Sequence, residues 1–179
     1  MDKIPVQLPL SSAEAAQLRA GQVVSLSGVI YTARDAAHKR FAQMLEAGEP
    51  IPLPSGSCVY YAGPCPSAPG EIIGPCGPTT SARMDSYAPS LLDWGVTAMI
   101  GKGPRSNAVK AAMKGRAVYF AATGGAGLLI ARSVISVEEA AFPDLGPEAV
   151  LRLEIRDMPA IVAVDARGGD LYERGGDVG

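Results

Sequence analysis

The sequence contains few of the side chains on which most enzyme active sites depend. Its 179 residues include one histidine, His38, one tryptophan and three cysteines, and only 6% of the residues are aromatic. It has no local metal-binding motif and no nucleophile–histidine–aspartate signature. The sequence therefore predicts neither a hydrolase with a catalytic triad nor an enzyme with a locally bound metal.

The chain also lacks a strong charge and a long apolar run. Its formal net charge of −2 gives no general attraction to nucleic acid or to an anionic membrane. No apolar run approaches the roughly 18 residues that a membrane span requires. Residues Met1–Pro5 lack the apolar core of a signal peptide. We therefore expect a cytoplasmic protein that binds neither nucleic acid nor a membrane.

The composition is that of a folded protein with one domain. Hydrophobic residues make up 47% of the chain and charged residues 19%, which excludes disorder as its main state. A second domain would have to be very small. Hydrophobic patterns and turn signals predict an α/β protein. We predict strands at 23–31, 59–62, 71–74, 96–100, 117–123, 132–137, 153–155 and 161–165, helices at 12–20, 33–47, 80–94 and 107–114, and a helical turn at 147–151.

The cysteines Cys58, Cys65 and Cys76 allow two interpretations. Three is an odd number, and a reducing compartment disfavours disulfides. Three cysteines could also hold three irons of a cubane cluster and leave one iron open for chemistry. Their spacings lack the CxxC pattern of local cluster motifs, which favours a structural or incidental role.

Two arginines lie where a positive charge is locally unfavourable. Thr79 or Thr80 is predicted to cap a helix, which places Arg83 near the first turn. Arg34 is predicted in the first turn of the next helix upstream, behind a cap at Thr32. A cation at this end of a helix costs roughly 0.3–1 kcal/mol. Such placements indicate an anion site, and the alternative is an ordinary capped helix whose arginine reaches solvent.

Three further features lie near the predicted strand ends. Lys102 is flanked by glycines after a buried-type strand, which suits either close approach by a ligand or a turn with a solvated lysine. The glycine cluster Gly124–Gly127 could cradle an anion, but it lacks the lysine and hydroxyl of a phosphate loop. His38 follows Arg34 by one helical turn, and a lone histidine favours a supporting role over that of a base.

Arg34, Arg83 and Lys102 each follow a predicted strand. In an open α/β sheet such junctions gather at one edge, where ligands bind. Arginine can bind a carboxylate bidentately, while lysine supplies a compact charge. The three cations therefore predict a site for a small dianion, either a di- or hydroxycarboxylate or a phosphate. Without a nucleophile or a metal motif, this looks like half of an active site.

Several segments resemble motifs of one enzyme family. The chain is similar to the iron–sulfur hydro-lyases of the class I fumarase and tartrate dehydratase type, specifically to their β subunit, which is equivalent to the C-terminal domain of the single-chain enzymes. The resemblance covers roughly residues 8–171. It is carried mainly by residues 31–40 (YTARDAAHKR), 77–85 (GPTTSARMD) and 100–103 (IGKG), with support from 60–64 (YYAGP) and 159–165 (PAIVAVD).

The resemblance implies a single domain over residues 1–179. This domain would be a swivelling β/β/α domain with a central mixed sheet flanked by helices, and it would dock onto an α subunit. In the family the α subunit carries a [4Fe–4S] cluster, whose open iron acts as a Lewis acid on the substrate. The resemblance therefore implies that Cys58, Cys65 and Cys76 do not bind iron. A β–β contact in an α2β2 assembly is also expected.

The resemblance also implies roles for individual residues. Arg34, Arg83 and Lys102 would bind the substrate carboxylates, Thr79 is the candidate base, and His38 would be a supporting group. We expect a chain that is inert alone and that hydrates fumarate reversibly to malate with its α subunit. The alternatives are tartrate or another hydroxydiacid as substrate, and a stand-alone anion-binding module. A phosphate- or nucleotide-binding domain is disfavoured by the missing phosphate-loop lysine and the acidic net charge.

Overall fold

The computed structural model describes residues 2–122 and 127–173. The chain forms a seven-stranded sheet with five α-helices and two 3₁₀ helices in this part. None of these helices is long and apolar enough to cross a membrane. The elements are β1 (Ile4–Leu8), α1 (Ser12–Ala15), β2 (Val23–Thr32), α2 (Asp35–Glu46), β3 (Cys58–Tyr60), a 3₁₀ helix (Ser81–Met84), α3 (Ala88–Trp94), β4 (Ala98–Gly101), α4 (Asn107–Met113), β5 (Val118–Ala121), α5 (Gly127–Ser133), β6 (Val134–Ala141), a second 3₁₀ helix (Pro143–Glu148) and β7 (Val150–Val164).

The sheet is mixed, as predicted. Its strand order is β1-β2-β3-β4-β5-β7-β6, and the neighbours from β1 to β5 are parallel. Strand β7 is antiparallel to β5 and β6 and also pairs with β2. Strands β2, β3, β4, β5 and β7 therefore form a closed ring of pairings. The predicted α/β class is confirmed.

The directions of the strands define two opposite sides of the sheet. Strands β2, β3, β4 and β5 end at Thr32, Tyr60, Gly101 and Ala121. These ends lie at the same side of the sheet, because each is paired with the end of the next strand or with the residue just before it. We name the side formed by these ends the carboxyl edge. Strand β7 runs the other way, and its end at Val164 pairs with Tyr119 near the start of β5. We name that opposite side the amino edge.

The core is divided between the two faces of the sheet. Alternate side chains along a strand point to opposite faces, so that neighbours in sequence enter different clusters. Tyr60 and Phe120 belong to one cluster, while Tyr61 and Tyr119 belong to the other. Helix α2 inserts Phe41, which is fully buried, into the second cluster. The buried Phe41 thus anchors α2 in the second cluster.

Several locally encoded elements are confirmed. The predicted capping box is present, since Ser11 and Glu14 exchange side-chain and backbone hydrogen bonds at the start of α1. Ser106 caps α4, and its hydroxyl accepts from the Val109 N–H at 3.3 Å. Gly95, with φ of 130°, follows the last residue of α3 as predicted.

Other predictions about the elements are wrong. Residues 71–74 do not form a strand, and the two predicted late strands are one 15-residue strand, β7. Strand β1 was not predicted, and α1 ends already at Ala15. The helical turn lies at Pro143–Glu148 rather than at 147–151, where β7 begins. Residues 124–126 of the predicted glycine-rich cradle, and the tail at 175–179 that we expected to be loose, lie outside the described residues.

Candidate active site

Arg34 lies at the carboxyl edge, two residues beyond the end of β2. It is the residue before α2 and has an extended backbone, so the prediction that it lies inside the first turn is wrong. Thr32 does not cap the helix, because its hydroxyl accepts from the Leu151 N–H at 3.1 Å. The first turn instead receives an acceptor from elsewhere in the chain, since the Ala36 N–H donates to Glu148 Oε1 at 3.1 Å. Arg34 therefore reaches the site from a strand end.

The loop that carries Thr79 is attached to the ends of two strands. The Thr79 N–H donates to the Tyr61 carbonyl at 2.7 Å, just beyond β3. Thr80 forms an isolated bridge with Lys102, and the Ser81 N–H donates to the Lys102 carbonyl at 2.9 Å. These bonds place Thr79 and Lys102 side by side at the carboxyl edge.

Our prediction of a capped helix at Thr79 or Thr80 is wrong. Only four residues, Ser81–Met84, adopt a 3₁₀ helix, and the Thr80 side chain makes no capping hydrogen bond. Arg83 lies in the last turn of this short helix, and the α-helix begins only at Ala88. The argument from the helix dipole therefore does not apply to Arg83. Its position follows from the loop that pairs with Lys102.

Arg83 is brought next to the start of α2. Its Nη2 forms an ion pair with Oδ2 of Asp35, the residue after Arg34. Both side chains remain accessible, with 52% of the Arg83 side chain and 38% of the Asp35 side chain exposed. Arg83 and the segment that follows β2 therefore meet at the carboxyl edge, although they are far apart in sequence.

Lys102 follows β4 directly and is exposed. Among the described residues, no hydrogen-bond acceptor or carboxylate partner contacts its ammonium group. The preceding Gly101 allows the Thr79 loop to pack closely, because a Cβ at Gly101 would lie 2.0 Å from Ser81 Oγ and 2.8 Å from Tyr61 Cδ2. The glycine thus serves the packing of the loop on β4, and the lysine remains free to bind an anion.

A second glycine makes room for Arg34. A Cβ at Gly63 would lie 2.9 Å from Arg34 Cδ and 2.9 Å from the Pro147 carbonyl oxygen. Such distances are shorter than a van der Waals contact, so a larger residue would displace the arginine. Gly63 follows β3 in the YYAGP segment, which explains why a glycine suits this position.

His38 is fully buried beneath the site. Its Nδ1 lies 2.9 Å from the Arg34 carbonyl oxygen, which can only accept, so Nδ1 carries the proton and Nε2 is an acceptor. The ring contacts Phe41, Tyr61 and Tyr87 edge-on or tilted. Burial lowers the pKa of His38 to about 4, so that the ring is neutral at neutral pH. This environment fits the predicted supporting role and makes His38 a weak base.

Three buried polar atoms near the site have no partner within residues 2–122 and 127–173. They are Arg34 Nε, Asp35 Oδ1 and His38 Nε2, all within one stretch of five residues. A buried polar group without a hydrogen bond costs about 1–3 kcal/mol, and native proteins contain few. Their concentration at the start of α2 indicates a place that a water, a ligand or another chain completes.

Sequence reasoning missed Arg105. Only 5% of this residue is exposed, and its guanidinium donates to Asp85 Oδ1 at 2.8 Å and to the Tyr61 hydroxyl at 3.0 Å. In sequence it lies in a Gly-Pro-Arg-Ser segment that looks like a solvated loop. No local pattern indicates its burial, because Tyr61 and Tyr119 are brought to it by the sheet.

The cysteines do not form a cluster site in the described part of the chain. Cys58 and Cys76 are buried, Cys65 is exposed, and all three are free thiols. Burial raises the pKa of Cys58 and raises that of Cys76 to about 12, which disfavours the thiolates that iron requires. No group of three His, Cys, Asp or Glu side chains is placed to hold a metal ion among these residues. The described residues therefore do not fit a [4Fe–4S] cluster.

Comparison with known protein families gives a match over almost the whole chain. The model of the fumarase C-terminus family matches residues 1–175. The chain belongs to this family. The predicted resemblance to class I fumarases and to β subunits of tartrate dehydratases is thereby confirmed.

The chain is similar to two kinds of curated protein. The chain is 38% identical over 172 residues to the putative L(+)-tartrate dehydratase subunit beta of Methanocaldococcus jannaschii. This alignment covers 92% of this chain and 88% of that protein. It is 36% identical over 178 residues to fumarate hydratase 2 of Leishmania major, and 35% identical over 178 residues to the anaerobic class I fumarate hydratase of Escherichia coli. Each alignment covers 96% of this chain but only 31% and 32% of those enzymes. The chain thus spans about a third of the length of the fumarate hydratases it matches.

Proposed function

We propose that this chain is the β subunit of a two-subunit iron–sulfur hydro-lyase, with fumarate hydratase, which interconverts fumarate and malate, as the first assignment. The observation that carries the proposal is the meeting of Arg34, Arg83 and Lys102 at the carboxyl edge, next to Thr79. A dianionic substrate needs several cations, and this edge offers two arginines and a lysine. Family membership supports the same chemistry.

In this proposal the three cations bind the substrate carboxylates. The Lys102 ammonium group has no partner among the described residues, and the Arg34 Nε likewise lacks one. Arg83 is held by Asp35 in an accessible ion pair. A substrate carboxylate would displace Asp35 from Arg83 and replace one charge-assisted bond with another. The ion pair would thus hold Arg83 in place before the substrate arrives.

We propose Thr79 as the base that acts on the carbon-bound proton. In the dehydration direction, the base takes a proton from the carbon next to one carboxylate while hydroxide leaves the neighbouring carbon. The Thr79 backbone is fixed by its N–H bond to Tyr61, and its side chain is half-buried. A neutral hydroxyl is a weak base, so Thr79 needs a neighbour that accepts its proton. We propose that a carboxylate of the partner subunit fills this role.

His38 would support the site without exchanging protons with the substrate. Its Nδ1–H holds the Arg34 carbonyl, which fixes the backbone from which the Arg34 side chain projects. Since the ring is buried and neutral, its Nε2 can accept a hydrogen bond from a water or a partner side chain. This role differs from that of Thr79, which we propose to contact the substrate.

We further propose that an α subunit holds the [4Fe–4S] cluster and completes the site. The alignment with a protein named as a β subunit, over 88% of that protein, supports a separate partner chain. The chain would form one swivelling β/β/α domain over residues 1–179, with a possible β–β contact in an α2β2 assembly, in the cytoplasm.

Tartrate dehydratase is the second candidate. The high coverage of the tartrate dehydratase β subunit favours it, whereas the match to fumarate hydratases covers only part of those enzymes. Two arginines and a lysine bind carboxylates that both substrates share. A stand-alone anion-binding module is the alternative from another class, because the same cations could bind a dianion without a partner.

Co-production tests the proposal. The chain is produced anaerobically with a cluster-bearing α subunit from the same genome, and the purified complex is assayed with fumarate, mesaconate and tartrate in both directions. We expect activity in the complex and none in the chain alone. Replacing Arg83 by Ala should lower kcat/KM by about 100-fold or more, because a charge-assisted carboxylate contact is lost.

Arg116→Ala is the matched control. Arg116 also forms an accessible arginine–aspartate ion pair, with Asp93 at 2.8 Å, but it lies just before β5 at the amino edge. We expect this variant to retain activity within about twofold. A chain that forms no complex, or a complex in which Arg83→Ala and Arg116→Ala behave alike, would overturn the proposal and favour the anion-binding module.

A further inference from the structure

Arg105 is the most completely buried cation that the structure describes at the carboxyl edge. Its side chain has no exposed area, while the Arg34, Arg83 and Lys102 residues are partly or fully exposed. The guanidinium lies over the rings of Tyr61 and Tyr119, with its carbon 5.0 and 4.7 Å from the two ring centroids. Such a group cannot reach a substrate in solution, so its function must lie in what it holds.

One partner of Arg105 fixes the end of the Arg83 helix. Arg105 Nε donates to Asp85 Oδ1 at 2.8 Å, and Asp85 directly follows the 3₁₀ helix that contains Arg83. The second oxygen of Asp85 accepts from the Ser106 N–H at 2.8 Å. The carboxylate is thus bound from both sides, and it ties the Arg83 helix to the segment that follows Lys102.

A second partner connects Arg105 to Thr79. The Tyr61 hydroxyl accepts from Arg105 Nη2 at 3.0 Å, and the Tyr61 carbonyl accepts from the Thr79 N–H at 2.7 Å. The Tyr61 ring also contacts His38, with the ring centroids 5.4 Å apart. Tyr61 therefore transmits the position of the buried guanidinium to the proposed base and to its supporting histidine.

A third contact secures the loop around Lys102. Arg105 stacks on Tyr119, whose hydroxyl is 2.7 Å from Ser81 Oγ and donates to the Gly103 carbonyl at 2.8 Å. Ser81 and Gly103 lie in the two segments that the Thr80–Lys102 bridge joins. Arg105 thus binds Asp85 directly, and it is linked through Tyr61 to Thr79 and through Tyr119 to the segment that carries Lys102.

We propose that Arg105 is a positioning residue that holds Thr79, Arg83 and Lys102 in one fixed arrangement. The physical reason is that a buried guanidinium must keep its partners, because losing one would leave an unpaired charge in a low-dielectric environment. An apolar side chain could fill the same space at a lower desolvation cost, but it would impose no direction on Asp85 or Tyr61. The proposal deepens the proposed function and rests on it.

Variants of Arg105 test the proposal in the complex with the α subunit. Arg105→Met keeps most of the volume and removes the bonds, and we expect kcat to fall by about 100-fold, since a misplacement of roughly 1 Å costs that much. Arg105→Lys keeps the charge but loses the planar fork, and we expect a smaller fall, about 10-fold. KM should rise in both variants, but by less than kcat falls, because the carboxylate-binding cations remain present while their arrangement loosens. Rates are expressed per folded complex, so that lost protein does not count as lost catalysis.

Hydrogen–deuterium exchange of the full chain gives a readout that does not depend on activity. We expect Arg105→Met to increase exchange in residues 77–85 and 101–104 at least about 10-fold, and to leave β2 and β7 unchanged. Asp85→Asn, which retains the shape of the side chain, provides a milder variant if Arg105→Met fails to fold. Arg116→Met is the control and should change neither kcat nor exchange at these segments.

The outcomes separate the two proposals. If the wild-type complex has no hydro-lyase activity, the proposed function fails, and the exchange data still report whether Arg105 fixes the three segments. If the wild-type complex is active and the Arg105 variants retain kcat per folded complex with unchanged exchange, positioning by Arg105 is refuted and the proposed function stands. Equal losses in Arg105→Met and Arg116→Met would also refute it.

Discussion

The two edges of the sheet differ in how their buried carboxylate oxygens are hydrogen-bonded. At the amino edge, Asp165 follows β7 and is 4% exposed. Its Oδ1 accepts from the N–H groups of Arg167 and Gly169, and its Oδ2 accepts from that of Ala20, at 2.8–2.9 Å. At the carboxyl edge, Asp35 Oδ1 is also buried but has no hydrogen-bond partner among the described residues.

This difference separates a charge that stabilises the fold from one that serves a site. Burial raises the pKa of Asp165, but the three N–H donors outweigh it and hold the pKa below its usual range. The carboxylate therefore stabilises the turn that closes the amino edge. Arg34, Asp35 and His38 instead carry buried polar atoms that have no partner in the described part of the chain. Both regions lie in segments that resemble family motifs, so a recognisable motif alone does not reveal which of them is functional.

Replacing one charged residue at each edge by alanine should give the largest difference between the two edges, in activity for one and in stability for the other. We expect Arg34→Ala to lower kcat/KM of the complex by about 100- to 1000-fold, because it removes a cation from the proposed carboxylate site, while the free energy of unfolding changes by less than about 1 kcal/mol. We expect Asp165→Ala to reduce the free energy of unfolding by about 3 kcal/mol, because three N–H groups lose their acceptor. Steady-state kinetics and urea unfolding measure the two effects.

The contrast depends on each variant affecting only one property. Asp165→Ala should retain kcat/KM within about twofold per folded complex, since it contacts no proposed site residue. If Arg34→Ala destabilises the chain as much as Asp165→Ala and retains activity, the charges of the carboxyl edge are structural. The distinction between the two edges would then be lost.

As the pH falls, His38 at the carboxyl edge should reduce the free energy of unfolding before Asp165 at the amino edge does. The pKa of His38 is lowered to about 4 by burial, whereas the unfolded chain titrates near the ordinary value of 6.5. Between these values the unfolded state binds the extra proton, so stability falls as the pH falls below 6.5. From pH 7.5 to pH 5 this linkage costs about 2 kcal/mol. Asp165, whose pKa is lowered, remains ionised over this range.

His38→Gln isolates this contribution. Glutamine can still donate to the Arg34 carbonyl, but it does not titrate. Urea unfolding of the wild-type chain and of His38→Gln is measured at pH 7.5 and pH 5. The free energy of unfolding should fall by about 2 kcal/mol more in the wild type than in the variant. Carboxylates are common to both proteins, so their effect cancels. Parallel declines would mean that His38 is not held neutral in the folded chain.

Features that depend on residues a few positions apart could be predicted from the sequence. Ser106 caps α4 through a bond to Val109, three residues away, so the signal lies within one turn. Strand β1 escaped prediction because it is defined by its pairing with β2, in which Ile4 lies opposite Val24. Residues 71–74 have strand-forming side chains, but Gly74 instead packs on the Cys65 carbonyl, where a Cβ would lie 2.1 Å away.

The candidate site also contains residues that could be predicted from the sequence and one that could not. Arg34, Arg83 and Lys102 were selected both from their predicted places after strands and from the resemblance. Strands β2 and β4 bring Arg34 and Lys102 to the carboxyl edge, and the loop that pairs with Lys102 brings Arg83. The local reason given for Arg83 was wrong, because Thr80 starts no α-helix and Arg83 ends a 3₁₀ turn. Arg105 could not be found, since its burial depends on Tyr61 and Tyr119 from two other strand segments. Patterns over short spacings do not report such distant contacts.

The smallest expected effect concerns one ion pair from each edge. Arg83 and Asp35 have side chains that are 52% and 38% exposed, whereas those of Lys110 and Asp170, near the end of β7, are 15% and 2% exposed. Water and salt screen an exposed pair, and ordering two long side chains opposes it. Double-mutant cycles with alanine, measured by urea unfolding, should give a coupling of at most about 0.5 kcal/mol for Arg83–Asp35 and about 1–2 kcal/mol for Lys110–Asp170.

This difference has a direct meaning for catalysis. A weakly coupled pair lets a substrate carboxylate displace Asp35 from Arg83 at little cost, while the stronger pair at the amino edge keeps the turn after β7 closed. The Arg83–Asp35 coupling should also decrease at high salt more than that of Lys110–Asp170, because its charges are more exposed. If Arg83–Asp35 were the stronger pair, a substrate would have to break a stabilising contact to reach Arg83. Arg34 and Lys102 would then be the principal carboxylate ligands of the edge.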